Sequence, residues 1–196
     1  MARPRPSRAR WIAALLAAAL ACAPVAAQNA VPPGVATALE AGGYAAVPMR
    51  RHGDAHLTVR MQLNGVPGVF ILDTGAGRTV LDRAAQSRFD EGRTPVSGGV
   101  ATGAGGAGMA IAALPDSRLR IGDYRDEAFT VHVMPLDHVN AAFVRRGEAA
   151  VDGVLGADVL ERGGAVIDYP NLRLYLRNPD AGRGGASSSP SISEQR

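Results

Sequence analysis

Four apolar residues in succession, Val69-Phe70-Ile71-Leu72, run directly into Asp73-Thr74-Gly75-Ala76. A short unbroken apolar run bounded by turn residues suits a strand covered on both faces. Just upstream, His56 to Leu63 alternates, with Leu57, Val59, Met61 and Leu63 on one face and Thr58, Arg60 and Gln62 on the other, the period of a half-buried strand. Asn64-Gly65 between the two segments is a strong hairpin signal. The returning strand, Val66 to Asp73, therefore delivers a carboxylate at the end of a central strand. An acid placed there is expensive unless hydrogen bonds or a partner compensate. Gly75 lets the backbone turn sharply, and the Thr74 hydroxyl can donate one of the required bonds. The plainer alternative is a strand-to-turn transition that Asp73 merely caps.

Short strand-like runs continue downstream at 95–101, 108–114, 118–121, 128–134, 151–155, 165–168 and 172–176, separated by Gly and Pro. Two helical candidates, Leu81 to Phe89 and Ala157 to Arg162, interrupt the series, and the conformation of Leu136 to Glu148 is open. Many short strands with turn signals predict an all-β barrel or sandwich rather than a βαβ sheet. No repeat with a period of 20 to 50 residues is present, and Asp-Thr-Gly occurs once, so the chain does not hold two equivalent halves that each carry it. With 196 residues, 46% of them apolar, there is material for one core.

The ends have a different character. Residues 1–27 read as a charged region, an apolar stretch from Trp11 to Ala23, then Pro24 and small residues, the three parts of a secretory signal cleaved before Gln28. Thirteen apolar residues span roughly 20 Å, short of the ~30 Å hydrocarbon thickness, so no integral span is expected in the mature chain. Cys22 follows Ala19-Leu20-Ala21, a faint resemblance to a lipoprotein cleavage site in which Ala19 stands where Leu is preferred, and a lipid anchor there is the lesser expectation. Export to a bacterial periplasm or the medium is the expected localisation. Residues 28–42 are expected to be a loose connection, 43–177 the folded domain, and 178–196, poor in apolar residues, a disordered tail. Four of the 21 basic residues, all of them Arg, lie in the first ten positions, and the remaining 17 face 18 acidic residues. No basic patch recommends nucleic acid as a partner.

Taken together, these motifs resemble the retropepsin-like aspartic proteases, in the branch of exported bacterial members. Val69 to Ala76 is similar to that family's apolar strand followed by Asp-Thr/Ser-Gly-Ala/Ser. Gly153-Val154-Leu155-Gly156-Ala157-Asp158-Val159-Leu160 is similar to its second signature, an apolar pair plus Gly before a short helix, with closing strands at 165–168 and 172–176. The likeness spans about residues 44 to 177. It implies a closed acid-protease barrel of short strands, with one or two short helices and a Gly-rich flap hairpin. It implies peptide or protein substrates and no metal or other cofactor. Asp73 would be the catalytic acid and base, Thr74 and Gly75 its supporting loop, and Gly156 the point where the second segment crosses close to that loop. Ala76 would neighbour the substrate.

Hydrolysis by this family needs two carboxylates sharing one proton, since like charges so close cannot both ionise. One activates a water while the other, protonated, polarises the peptide carbonyl. The chain supplies one such loop, so the resemblance implies a homodimer with Asp73 and its copy on a two-fold axis, Thr74 bonding across it. Asp158 and Asp168 are the other nearby acids by motif. Neither stands in an Asp-Thr/Ser-Gly loop, and Asp158 is expected to cap or orient the short helix. Where retroviral members carry Arg after the second motif's Gly, this chain has Ala157, which leaves the dimer contacts open.

Residues 97–108 carry a run of glycines that includes Gly103, Gly105 and Gly106. In the family's order this is the flap that closes over substrate and excludes water; without the Asp-Thr-Gly motif it would read as a floppy surface loop. A phosphate loop is disfavoured because the chain has no Lys. His52 and His56 read as a turn entering a strand, about 13 Å apart at ~3.3 Å per residue and so a poor chelate. His132 and His138 have no evident metal-ligand partners, and no Gly-x-Ser-x-Gly supports a serine triad. The competing function is a non-catalytic peptide-binding or assembly module that keeps the same fold.

Overall fold

The hairpin expected at Asn64-Gly65 lies at the heart of the fold. Strands β1 (Tyr44–His52), β2 (His56–Leu63) and β3 (Val66–Leu72) run antiparallel in succession, with β2 and β3 paired from Leu63↔Val66 to Thr58↔Ile71. Asn64 (φ 54°) and Gly65 (φ 81°) both take the left-handed conformation that a tight two-residue turn requires. The buried Asn64 side chain also donates to the Phe89 carbonyl (2.7 Å) and accepts from the Arg118 amide (2.8 Å), tying the turn to two distant segments.

The computed structural model describes residues 33–103 and 106–178, all within one compact unit, 31–196. Before β1 comes helix α1 (Pro33–Ala41). After β3 follow β4 (Val80–Asp82), a 3-10 helix (Arg83–Arg88), β5 (Val96–Gly103), β6 (Gly106–Ile121) and β7 (Tyr124–Met134). Helix α2 (Asp137–Arg145), β8 (Gly153–Leu155), α3 (Ala157–Arg162), β9 (Val166–Asp168) and β10 (Arg173–Arg177) complete the chain. The sheet order is β5-β6-β7-β4-β8-β3-β2-β1-β10-β9, and β6 also pairs with β2, which closes six strands into a ring. The β3–β8 and β4–β7 pairs are parallel. Short strands with a few short helices are what the sequence predicted.

Inside the ring lie Val59, Met61, Leu63, Phe70, Leu81, Leu114, Leu119, Ile121, Val131, Val133 and Leu155, all essentially solvent-free. Fully burying a side chain of this size contributes about 1.5–3 kcal/mol. On the other face of β3, Ile71 and Val69 pack against Phe143 and Val139 of α2 and against Val151. The strand that leads to Asp73 is thus covered on both sides, as its unbroken apolar run implied.

Several elements differ from expectation. The loose connection expected at 28–42 contains α1, a helix from Pro33 to Ala41. Leu81 does not begin a helix, because Val80 and Leu81 pair with both β7 and β8, and only after Asp82 does the chain coil. The runs at 108–114 and 118–121 belong to one strand, β6, whose register shifts around Ser117 absorb Pro115 and Asp116 (φ 51°). His52 and His56 are not separated along an extended chain: the backbone reverses at 53–55, the two residues are cross-strand partners, and both rings stand edge-on to Phe143. Among the described residues no group of three or more His, Cys, Asp or Glu is placed to hold a metal. Asn178, expected to begin the tail, bonds Asp123 and Arg125. The leader 1–27 and the tail 179–196 lie outside the described residues, and no helix among those described is long and apolar enough to cross a membrane.

Candidate active site

Leu72 pairs with Leu155 of the parallel strand β8, and the Asp73 amide extends that ladder by one bond to the Leu155 carbonyl (3.1 Å). The chain then turns: the Ala76 amide donates to the Asp73 carbonyl (3.2 Å) and the Gly75 amide to Asp73 Oδ1 (2.8 Å). This turn lifts Asp73, Thr74 and Gly75 out of the sheet, and all three are exposed. The carboxylate expected to be costly to bury is therefore not buried in the single chain. It stands at the surface with one side fixed by a backbone amide, and Oδ2 has no hydrogen-bond partner among the described residues.

The second motif passes directly beneath this loop. The Ala157 amide donates to the Ala76 carbonyl (2.7 Å). A Cβ on Gly156 would sit 2.5 Å from both the carbonyl carbon and oxygen of Arg78 and 2.8 Å from the Ala76 oxygen. Because Gly156 has φ −101°, the glycine is required for space and not for backbone conformation. A side chain at Gly153 would collide with the Val80 carbonyl and the Phe70 ring. The close crossing expected at Gly156 is present.

A clamp fixes the far end of the loop. Thr79 is fully buried; its hydroxyl accepts from the Gly156 amide (3.0 Å) and donates to Asp158 Oδ1 (2.7 Å). The Thr79 amide points at both Asp158 oxygens (2.9 and 3.0 Å), and the Val159 amide also donates to Oδ1 (2.9 Å). Asp158 thus orients α3, as expected, and also holds the loop that carries Asp73. Thr79 was not singled out from sequence. The available signal was a hydroxyl residue immediately before the buried pair Val80-Leu81, where a polar group must find internal partners. Asp168 is likewise occupied, accepting from the Asn171 amide (3.1 Å) and side chain (2.7 Å) in the turn after β9.

On the other side of β4, His132 of β7 pairs with Val80. Burial first, and then the positive charge of Arg78, push its pKa below the ordinary 6.5, against an opposing pull from Asp158. Its Nδ1 is buried without a hydrogen-bond partner. The glycine-rich segment forms a hairpin: β5 and β6 pair out to Gly103↔Gly106, with shifts near Gly99 and Gly103. Gly105 lies outside the described residues. Thr74 and Ala157 border a shallow surface cavity together with Leu160, Glu161, Ala165 and Ile167.

The family model described as aspartyl protease matches residues 59–159, which runs from β2 through the loop to α3. The chain belongs to the aspartyl protease family. The first motif of this protease, 69–76, lies inside the matched segment, and the second, 153–160, lies inside it up to Val159. Solved structures similar to it include the retropepsin-like aspartic protease from Rickettsia conorii (23% identity, 68% of this chain and 91% of that chain, TM-score 0.47). Others are the EIAV protease complexed with the inhibitor HBY-793 (19%, 60% and 97%, 0.44) and the retroviral protease-like domain of Ddi1 from Leishmania major (16%, 65% and 98%, 0.43). No curated protein matches the chain.

Proposed function

We propose that this aspartyl protease is an exported endopeptidase whose active unit is a homodimer, with Asp73 from each copy forming the catalytic pair. The observation that carries the proposal is the state of the acids. Asp73 is exposed and braced at one oxygen, whereas the other acids near the motifs are occupied: Asp152 by the Val69 amide and Arg88, Asp158 by Thr79 and Asp168 by Asn171. A second carboxylate in an equivalent loop then has to come from another chain. Strand β9 supports a two-chain unit: it ends the sheet order, so its outer edge has no strand partner among the described residues, and Val166 within it (37% exposed) and Tyr169 just after it (58% exposed) face solvent. Ala165 and Ile167 of the same region border the cavity that Thr74 lines.

In the dimer the two carboxylates hold one proton between them. The ionised member takes a proton from a water, which attacks the peptide carbonyl. The protonated member hydrogen-bonds the carbonyl oxygen as negative charge develops there. Thr74 bonds across the axis to the opposite loop. The β5–β6 hairpin, with its tip near Gly103 and Gly106, covers the bound peptide and excludes water.

The test is cleavage of a mixed peptide pool by purified protein beside Asp73→Asn. Wild type is expected to cleave and the variant to be inactive; cleavage that survives the substitution refutes the assignment of Asp73. Titrating wild type with excess Asp73→Asn tests the dimer, because mixed dimers hold one carboxylate. Activity is expected to fall with added variant, and activity indifferent to it refutes the shared pair.

A further inference from the structure

Arg78 lies five residues beyond Asp73 in the same loop, and its side chain is exposed. Among the described residues it has no ion pair; the arginines that do are Arg88, Arg93, Arg118 and Arg162. The acid nearest in the clamp, Asp158, directs both oxygens at Thr79. The Arg78 backbone cannot drift, since its carbonyl abuts Gly156 and the neighbouring residue Thr79 is held by Asp158. Gly77 beside it is open to solvent, with nothing within 4 Å of where a Cβ would stand. The loop therefore presents a fixed stem with an uncompensated cation at its rim.

The register of the sheet says where that cation sits. Val80, two residues on, pairs with His132, His132 pairs with Ala113 of β6, and Ala113 pairs with Val96 of β5. One row of residues thus runs from the end of the catalytic loop to the root of the glycine-rich hairpin. The Arg78 guanidinium is close enough to His132 in this row to act on its charge. Val96, at the other end of the row, is 54% exposed. Arg78 accordingly lies between Asp73 and the row that leads to the hairpin root, and on the endopeptidase reading an extended peptide held under the hairpin passes there. An extended chain advances ~3.3 Å per residue, so a side chain two to four residues from the scissile bond comes within reach of an arginine side chain.

We propose that Arg78 is a specificity-determining residue that selects an Asp or Glu side chain within four residues of the cleaved bond. The inference rests on the endopeptidase reading above; in a symmetric dimer two copies of Arg78 favour acids on both sides of the bond. Arg fits this role better than Lys, because its planar fork donates to both oxygens of a carboxylate at once.

The experiment profiles cleavage of a randomised peptide library by full-length wild type, Arg78→Ala and Arg78→Glu, reading the residues around each cut by mass spectrometry at low and high salt. Wild type is expected to enrich Asp and Glu about three- to tenfold at one or more of the flanking positions, less at high salt. Arg78→Ala is expected to lose that enrichment while still cutting, and Arg78→Glu to enrich Arg and Lys instead. Equal use of acidic, neutral and basic residues by wild type, or an acidic preference that persists in Arg78→Ala, overturns the inference. Retention of the same library on immobilised Asp73→Asn protein, with and without Arg78→Ala, separates this outcome from failure of the catalytic reading. If nothing is cut but acidic peptides are still retained through Arg78, the endopeptidase reading fails, the cleavage-site role falls with it, and Arg78 is left as a binder of acidic peptides. If retention is indifferent to charge, the role of Arg78 fails as well.

Discussion

Replacing Gly156 with Ala probes the crossing on which the active loop is built. The added Cβ would lie 2.5 Å from the Arg78 carbonyl carbon and oxygen and 2.8 Å from the Ala76 oxygen. Ordinary contacts of this kind are about 3.5 Å or longer, so one of the two segments has to move by nearly an ångström. All three atoms are backbone. Ala76 is bonded through its carbonyl to the Ala157 amide, and Thr79 is held by Asp158, so neither segment yields without breaking hydrogen bonds. Overpacking of a tight site costs about 1–3 kcal/mol, and the backbone identity of the neighbours puts this case at the upper end. Alanine also restricts the unfolded chain, and because φ is −101° this returns about 0.4–1 kcal/mol. The expected net loss of about 2 kcal/mol corresponds to a fall in Tm of roughly 4–8 °C for a domain of this size. Thermal melting followed by circular dichroism measures it, with Gly77→Ala as the control. Gly77 lies in the same loop, has open space at its Cβ position and should melt about 1–4 °C above wild type. If Gly156→Ala melts as Gly77→Ala does, the close crossing does not constrain the loop.

Other substitutions test the surroundings of the loop. Asp158→Ala leaves the buried Thr79 amide and hydroxyl without their acceptor. It should cost about 3 kcal/mol in urea unfolding and lower peptide cleavage further than the lost stability explains, whereas Asp158→Asn should recover part of both. His132 carries a pKa below 6.5, chiefly through burial, so the unfolded chain binds its proton more readily than the folded one. The stability it supports is complete above pH 6.5 and declines as pH falls through the window below that value. The urea midpoint of wild type should therefore drop more between pH 7.5 and 5.5 than that of His132→Gln, and equal drops would rule the titration out.

The elements that were legible in the sequence are those whose pattern and packing agree. Val69 to Leu72 lacks alternation because core residues cover one face and Phe143 the other, so a short apolar run correctly implied a doubly covered strand. Asn64-Gly65 set a hairpin because no other dipeptide satisfies two left-handed positions so readily. Gly156 was legible as a crossing point because a steric requirement leaves a mark in residue identity. What stayed hidden depended on partners remote in sequence. Leu81 and its neighbours have helix-compatible spacing, but β7 and β8, about 50 to 70 residues away, capture Val80 and Leu81 as strand. The hairpin partnership of His52 and His56 hinges on a reversal at Gly53 (φ 57°) that strand spacing alone does not reveal. Burial of Asp73 was overestimated because the turn from Asp73 to Ala76 carries the acid clear of the apolar strand that precedes it.

That exposed acid sharpens the case for a second chain. On the proposed reading Asp73 needs a rigid base and a dry, shared environment, and one copy of this protease provides only the first. Rigidity comes from below, through Leu155, Gly156, Ala157 and the Thr79–Asp158 clamp, each bonded to the loop by backbone or buried side-chain groups. Asp73 is exposed, while its neighbour Thr74 opens onto a cavity shared with Ala165 and Ile167, next to the edge of β9 that has no strand partner among the described residues. The fold thus invests its strongest local hydrogen bonding in holding a group that the single chain leaves in water. A partner copy docking over β9 would bring an identical braced loop against it, and only then does the rigidity become useful, because a shared proton requires the two oxygens to be held a fixed, short distance apart.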